Sequence, residues 1–186
     1  MKIIVLTAPS GSGKTTIARA LLAAEPGLRF SVSATTRPPR GQEQDGVEYF
    51  FLSDEAFRSR IADGAFLEYE EVYGGSFYGT LRQELERVAV DSRAALLDID
   101  VKGALNVKRL YGDRALTLFI APPSLAALAE RLRARGTDAD AAIATRLARA
   151  ELEMGYAPEF DHTVVNDDLD TAVEETVALV RAFLAA

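Results

Sequence analysis

Residues 7–16 read TAPSGSGKTT, a glycine-rich loop set between two patterned segments. Before it lies KIIVLTA (2–8), a short apolar run ending in small residues, which reads as a buried strand. After it lies TTIARALLAAE (15–25), with apolar residues at helical spacing and a Pro-Gly stop at 26–27. Strand, glycine loop and helix in that order are the setting in which the pattern G-x-x-x-x-G-K-[ST] cradles phosphate. The pattern fits from Gly13 through Lys14 and Thr15, whereas Ala8 stands where the first glycine is usual. Gly11 and Gly13 let backbone N–H groups converge on phosphate oxygens at the positive end of the following helix. Lys14 supplies a compact ammonium, and Thr15 a hydroxyl suited to Mg²⁺. Lysine occurs only at 2, 14, 102 and 108, every other basic residue being arginine. Position 14 therefore keeps a point charge where an arginine fork would be bulkier. The competing reading is a Gly/Ser-rich turn between a strand and a helix.

Along the rest of the chain, strand and helix patterns alternate. LRFSVSATT (28–36) reads as a strand, RPPRGQEQDG (37–46) as a polar loop and VEYFFL (47–52) as a strand. SDEAFRSRIADG (53–64) is a short helix with Ser53 as N-cap, early acids and a glycine stop. AFLEYEEVY (65–73) reads as a strand, GGSFYG (74–79) as a turn carrying two aromatics, and TLRQELERVAVD (80–91) as an amphipathic helix. AALLDID (94–100) is a buried strand ending in two aspartates. A helix over 101–112, a strand over 115–123, helices over 124–136 and 138–154, a short strand over 161–166 and a helix over 168–186 follow. Such alternation implies an α/β chain with a mainly parallel sheet covered on both faces. Residues 31–80 break the rhythm: they are strand-rich, polar and hold most of the tyrosines, and read as an inserted lobe.

A length of 186 residues predicts one domain with a core of its own. The chain has no cysteine, which excludes disulfides, thiolate metal sites and a thiol nucleophile. A cytoplasmic location is expected, with no membrane partner, since no apolar run approaches spanning length. The net charge of −7 argues against a nucleic-acid surface and requires arginines to be concentrated locally if anions are bound.

Four further groups carry candidate chemistry. Asp98 ends a buried strand, where ligands of parallel sheets gather, and a carboxylate there can hold Mg²⁺ or its waters. Arg37 and Arg40 share one loop, with Tyr49 downstream; two guanidinium forks suit a phosphate dianion, although two solvated loop arginines are as ordinary. Glu68, Glu70 and Glu71 are an acidic edge, solvated or functional, with Phe77 and Tyr78 nearby. Arg131, Arg133, Arg135, Arg146 and Arg149 lie on helices that are either a solvated surface or a lid bringing arginines onto a phosphoryl group. The lone His162 has neither metal-ligand nor relay partners in view and reads as structural or solvated.

Taken together, APSGSGKTT, FSVSATTRPPR with its Glu and Tyr, FLEYEEVYGGSFYGT, LLDIDVKGALNVK, RLRARGTD and VVNDDLD resemble the guanylate kinase family, in family order and spacing over nearly the whole chain. The resemblance implies a three-layer P-loop nucleotide kinase core (1–32, 81–122 and 150–186), a GMP-binding lobe (33–80) and a helical lid (123–149). It implies transfer of the γ-phosphoryl group of ATP to GMP, and to dGMP, with Mg²⁺, by a monomer or homodimer in purine nucleotide metabolism. ATP would lie on the loop from Ala8 through Pro9, Ser10, Gly11, Ser12, Gly13, Lys14, Thr15 and Thr16, with Arg131, Arg135 and Asn166. Arg37, Arg40, Tyr49 and Tyr78 would hold the GMP phosphate, Ser33, Glu68 and Thr80 would read guanine, and Glu43 and Asp100 would be further GMP contacts. Lys14, Arg37, Arg135 and Arg146 would carry the chemistry, and Thr15 and Asp98 would face Mg²⁺, Asp98 through water. The chain departs from the family pattern at RGQE (40–43), where a glycine directly before the glutamate is usual. Another small-molecule kinase on the same core would not need the Arg37, Arg40, Tyr49, Tyr78 and Glu68 set. A non-catalytic relative that binds proteins would typically lose the phosphate loop.

Overall fold

The apolar runs become one parallel sheet in the computed structural model, which describes residues 1–72, 75–91, 94–134 and 140–186. Its strands are β1 (Lys2–Thr7), β2 (Leu28–Phe30), β7 (Ala94–Asp98), β8 (Ala115–Ala121) and β9 (His162–Val165), in the order β2-β7-β1-β8-β9. Every pairing in it is parallel. Alternate residues of β1 point to opposite faces, as the two-residue period of a strand requires. Ile3 and Val5 pack with Leu85 and Val88 of α3 (Arg82–Asp91) and Val101, Ala104 and Val107 of α4 (Val101–Tyr111). Ile4 and Leu6 pack with Ile17, Ala18 and Leu21 of α1 (Lys14–Ala24) and Ala172 and Val180 of α7 (Leu169–Ala185). Each fully buried Ile or Leu contributes roughly 1.5–3 kcal/mol. The three-layer α/β architecture expected from the sequence is the one observed.

Register decides where the site lies. Leu6 pairs with Asp98, and Val165 with Ala121. The glycine loop leaving β1, the acid ending β7 and Asn166 beyond β9 therefore emerge together at the carboxyl edge of the sheet, where ligands of such sheets bind. His162 is exposed on the edge strand β9.

Residues 33–81 build a second sheet, in the order β4-β3-β6-β5, from β3 (Ser33–Thr35), β4 (Tyr49–Phe51), β5 (Phe66–Val72) and β6 (Ser76–Leu81). It has its own small core of Ala34, Phe57, Phe66 and Phe77, closed by α2 (Asp54–Ala62), whose Ser53 caps the Ala56 N–H as expected. Two expectations are corrected. The single strand read over 28–36 is two short strands in different sheets. The Ser31 N–H still bonds Leu96 of the main sheet at 2.9 Å, but the Val32 N–H turns to Glu84 Oε1 at 3.0 Å, and the ladder ends there. Of the turn read over 74–79, Ser76 through Gly79 instead start β6, which pairs with both β3 and β5; Gly75 keeps a left-handed turn conformation, and Gly74 lies outside the described residues. Gly79 looked like a turn residue but is a close approach, since a Cβ there would sit 2.8 Å from the Glu68 carbonyl oxygen.

The helices α5 (Leu125–Ala134) and α6 (Asp140–Met154) pair through Leu128, Leu132, Ile143 and Ala150. Leu128 and Leu132 also reach the glycine loop, each 3.0 Å from where a Cβ on Gly11 would stand.

Candidate active site

The loop after β1 is shaped by two left-handed glycines, Gly11 at φ 100° and Gly13 at φ 91°. Gly13 caps α1 with no side chain on the helix N-terminus, so the Lys14 and Thr15 N–H groups can face an anion there, while the Thr16 N–H bonds the Gly13 carbonyl at 3.0 Å. A side chain at Gly13 is excluded sterically too, because Asn166 Nδ2 lies 2.3 Å from where its Cβ would be. That amide donates to the Ser12 carbonyl at 2.7 Å, bracing the loop from β9. Asn166 is buried, and its own carbonyl accepts from Arg131 Nη2 at 2.9 Å. Arg131 is thus tied to the loop's support. Lys14 forms an ion pair with Asp98 and donates to the Ile99 carbonyl at 3.3 Å.

A cavity of about 350 Å³ faces this loop. Ala8, Pro9, Ser10, Gly11, Gly13, Lys14, Thr15 and Thr16 form one wall, and Ser33, Tyr49, Glu68 and Tyr78 of the second sheet form the other. Asp98 and Asp100 lie on its floor. Ser12 is fully buried and does not line the cavity. Most of this lining is legible in the sequence; Val72, Gly79, Ile99 and Glu153 are not, and Arg149 and Glu70 stand out there only as members of charged runs.

On the second sheet, Glu68 is buried on β5 and accepts from the Thr80 hydroxyl at 2.6 Å. Asp100 caps α4, accepting from the Gly103 N–H at 2.7 Å. A Cβ on Gly103 would stand 2.5 Å from Glu68 Oε2 and 3.2 Å from Asp100 Oδ1, so this glycine makes room for both carboxylates. Burial, with Asp100 nearby, pushes the Glu68 carboxyl up to about 7, against the pull of the Thr80 bond. Burial and the charge of Asp98 hold the Tyr49 phenol at about 12, so it is a neutral O–H donor near pH 7.

Arg37 is buried beneath this wall. Its Nη1 and Nη2 donate to both oxygens of Glu43 at 2.6 and 2.7 Å, and its Nε donates to Tyr78 Oη at 3.1 Å. The guanidinium stacks 4.9 Å from the Tyr49 ring. The Glu43 bond raises the Arg37 pKa further and lowers that of Glu43. Glu43 also accepts the Arg40 N–H at 2.8 Å, while Arg40 itself is exposed. Glu43 thus organises both arginines of the loop.

Arg146 of α6 donates from Nη1 to Ser10 Oγ at 3.1 Å, which brings that helix onto the glycine loop. Arg135 lies outside the described residues. The Thr15 hydroxyl and Asp98 carboxylate are hard oxygen donors on the same cavity, and no group of three or more His, Cys, Asp or Glu able to hold a metal occurs among the described residues. Such a donor set suits Mg²⁺ carried by phosphates, with few protein ligands. No described helix is long and apolar enough to cross a membrane.

A cavity with a phosphate loop on one side and a buried carboxylate among phenols and arginines on the other fits a site for two nucleotides. The chain also resembles known proteins over nearly its whole length. The family model described as guanylate kinase matches residues 1–183. A guanylate kinase of Salinibacter ruber is 61% identical over 182 residues, covering 98% of this chain and 96% of that one. One from Bacteroides fragilis is 51% identical over 183 residues, covering 98% and 90%. The crystal structure of guanylate kinase from Anaplasma phagocytophilum superposes with a TM-score of 0.78 at 31% identity, covering 97% of this chain and 85% of that one. On these grounds the chain belongs to the guanylate kinase family, a family of nucleoside monophosphate kinases.

Proposed function

We propose that this cavity holds ATP on the glycine loop and GMP against the second sheet, and that the chain transfers the γ-phosphoryl group between them, with dGMP as an alternative acceptor. The observation that carries the residue-level reading is that Lys14 and Glu68 open into one cavity. Guanine presents N1–H and N2–H side by side, which one ionised carboxylate accepts together; adenine presents an acceptor at N1 and would leave the carboxylate unpaired. Thr80 fixes the Glu68 rotamer, and Ser33 and Asp100 border the same base position. Tyr49 and Tyr78 offer phenols to the GMP phosphate, with Arg37 directly behind them and Arg40 on the same loop. Glu43 serves that phosphate by aligning the Arg37 fork.

The acceptor needs no general base. A phosphate monoester has its second pKa near ~6, so GMP arrives mostly as a dianion at neutral pH. A GMP phosphate oxygen attacks the γ-phosphorus, the bond to the β,γ-bridging oxygen breaks, and ADP leaves with that electron pair. The chain's task is to align two polyanions and neutralise their charge. Loop amides and Lys14 hold the ATP phosphates, Arg146 joins them from α6, and the family resemblance assigns Arg135 the same task. Arg131 and Asn166 support the adenine side. Thr15 and, through water, Asp98 would hold Mg²⁺, which supplies positive charge to the phosphate oxygens.

ADP release measured with ATP, Mg²⁺ and a panel of nucleoside monophosphates tests this reading. GMP and dGMP should be the efficient acceptors. Absence of turnover with either would sink it.

A further inference from the structure

Helix α6 presents two faces. Ile143 and Ala150 bury against α5, while Arg146, Arg149 and Glu153, at helical spacings of three and four, face the glycine loop and cavity. Arg146 reaches Ser10. Arg149, one turn further on, lines the cavity and donates from Nε to Glu153 Oε1 at 2.6 Å.

This pair differs from an ordinary surface i,i+4 bridge. Arg58 and Asp54 form one with side chains 61% and 56% exposed, whereas Arg149 and Glu153 are 30% and 14% exposed, inside the cavity wall. Glu153 is within electrostatic reach of both Lys14 and Asp100. Lys14 marks the ATP terminal phosphate and Asp100 the GMP side, so Arg149 stands at the seam between them. The arrangement also repeats a pattern. Lys14 is held by Asp98, Arg37 by Glu43 and Arg149 by Glu153, so three cations near the cavity are each held in place by a carboxylate. A phosphate group offers more charge and more acceptor oxygens than one carboxylate and can compete for the same guanidinium.

We propose that Arg149 is a further catalytic residue of this reaction, exchanging Glu153 for phosphate oxygens where the transferring group passes from ATP to GMP. The inference rests on the two-nucleotide reading above. It makes Arg149 a contributor to charge neutralisation beside the lid arginines, through the fork that planar phosphate recognition favours.

The test compares R149A and R149K with the wild-type chain in GMP-dependent ADP release, together with melting temperature and rescue by added guanidinium ion. R149A should lower kcat by roughly ten- to a hundredfold, with an unchanged melting temperature, and guanidinium should restore part of the loss. A kcat equal to wild type would overturn the inference. So would a loss that guanidinium leaves untouched, since a displaced helix would give that. Should R149A fail to fold, R149K carries the test, because it keeps a charge for Glu153 and loses the fork. A fall in kcat of about threefold or more would support the role, and a smaller change would overturn it. Wild-type turnover is read in the same assay, so failure of the two-nucleotide reading shows separately as no GMP-dependent ADP in the unaltered chain.

Discussion

In the proposed guanine contact, Glu68 has to act as a carboxylate in a place that disfavours charge. Only the ionised form offers two acceptor oxygens to guanine; the protonated acid sets an O–H against one guanine N–H. With its carboxyl pushed up to about 7 by burial, a large part of the protein near neutrality carries the wrong form. The KM for GMP should therefore fall as pH rises through about 7 while the KM for ATP does not follow. The GMP phosphate gains its second charge near ~6, which acts in the same direction. Glu68→Gln separates the two effects. It should raise the KM for GMP by at least about tenfold and leave a residual pH dependence centred near ~6, with the KM for ATP unchanged. Equal damage to both nucleotides, or a midpoint that stays near 7, would remove Glu68 from guanine recognition. The stability consequence has a definite sign. An unfolded-chain glutamate titrates near 4.5, so the folded state binds the proton more tightly between 4.5 and about 7. This residue's contribution therefore becomes less favourable as pH rises through that window and stays so above it. Glu68→Gln should flatten that decline in a denaturation series across pH.

The crossing from the first sheet to the second is made at Ser31 and Val32 and is tied by an element that comes much later in the chain. Glu84, in the first turn of α3, is buried and accepts the Val32 N–H, while Arg87 brackets the same carboxylate with bonds of 2.7 and 2.8 Å. Glu84→Ala should cost about 1–3 kcal/mol, because it leaves a buried N–H without a partner. Glu84→Gln keeps an acceptor there and should cost less. Equilibrium denaturation of the two variants checks this, and equal costs would show that the Val32 bond is not what stabilises the crossing. The same bond explains why the break in 28–36 was not legible: nine residues of strand-like pattern cannot reveal an acceptor 52 positions away. Strand β6 was hidden for a related reason. Gly79 carries a turn signal locally, but its lack of a side chain answers to Glu68 and Phe66 across the sheet. The central strands β1, β7 and β8 of the main sheet were legible because each is a buried apolar run. In the site, residue types were legible and pairings were not. Lys14, Asp98 and Glu68 stood out by position, whereas the alignment of Arg37 by Glu43 and the place of Glu153 in the cavity arise only from three-dimensional contact. For Arg149 and Glu153 the available signal was their shared helical face with Arg146.

On the scale of the whole molecule, the site is assembled from parts with separate cores. The main sheet has an apolar cluster on each face, the second sheet has its own around Phe57, and α5 and α6 share another around Leu132. Units with separate cores can move as bodies. The proposed chemistry gives them reason to, since water reaching the γ-phosphate would turn transfer into ATP hydrolysis. It also has to overcome mutual repulsion between two polyanions on a chain of net charge −7, with cations drawn from all three parts. Closure should then depend on both nucleotides, because each supplies phosphate for cations on the other's side. The absence of cysteine allows a clean measurement. Val47→Cys on the second-sheet side and Leu169→Cys at the start of α7 introduce the chain's only two thiols, at positions that are both exposed. Labelled with a donor and an acceptor dye, this pair should show energy transfer rising when a non-hydrolysable ATP analogue and GMP are present together. Either nucleotide alone should give a smaller rise. Energy transfer that stays constant through all four conditions would mean that the cavity works without closing, and water would then have to be kept from the γ-phosphate by the bound nucleotides alone.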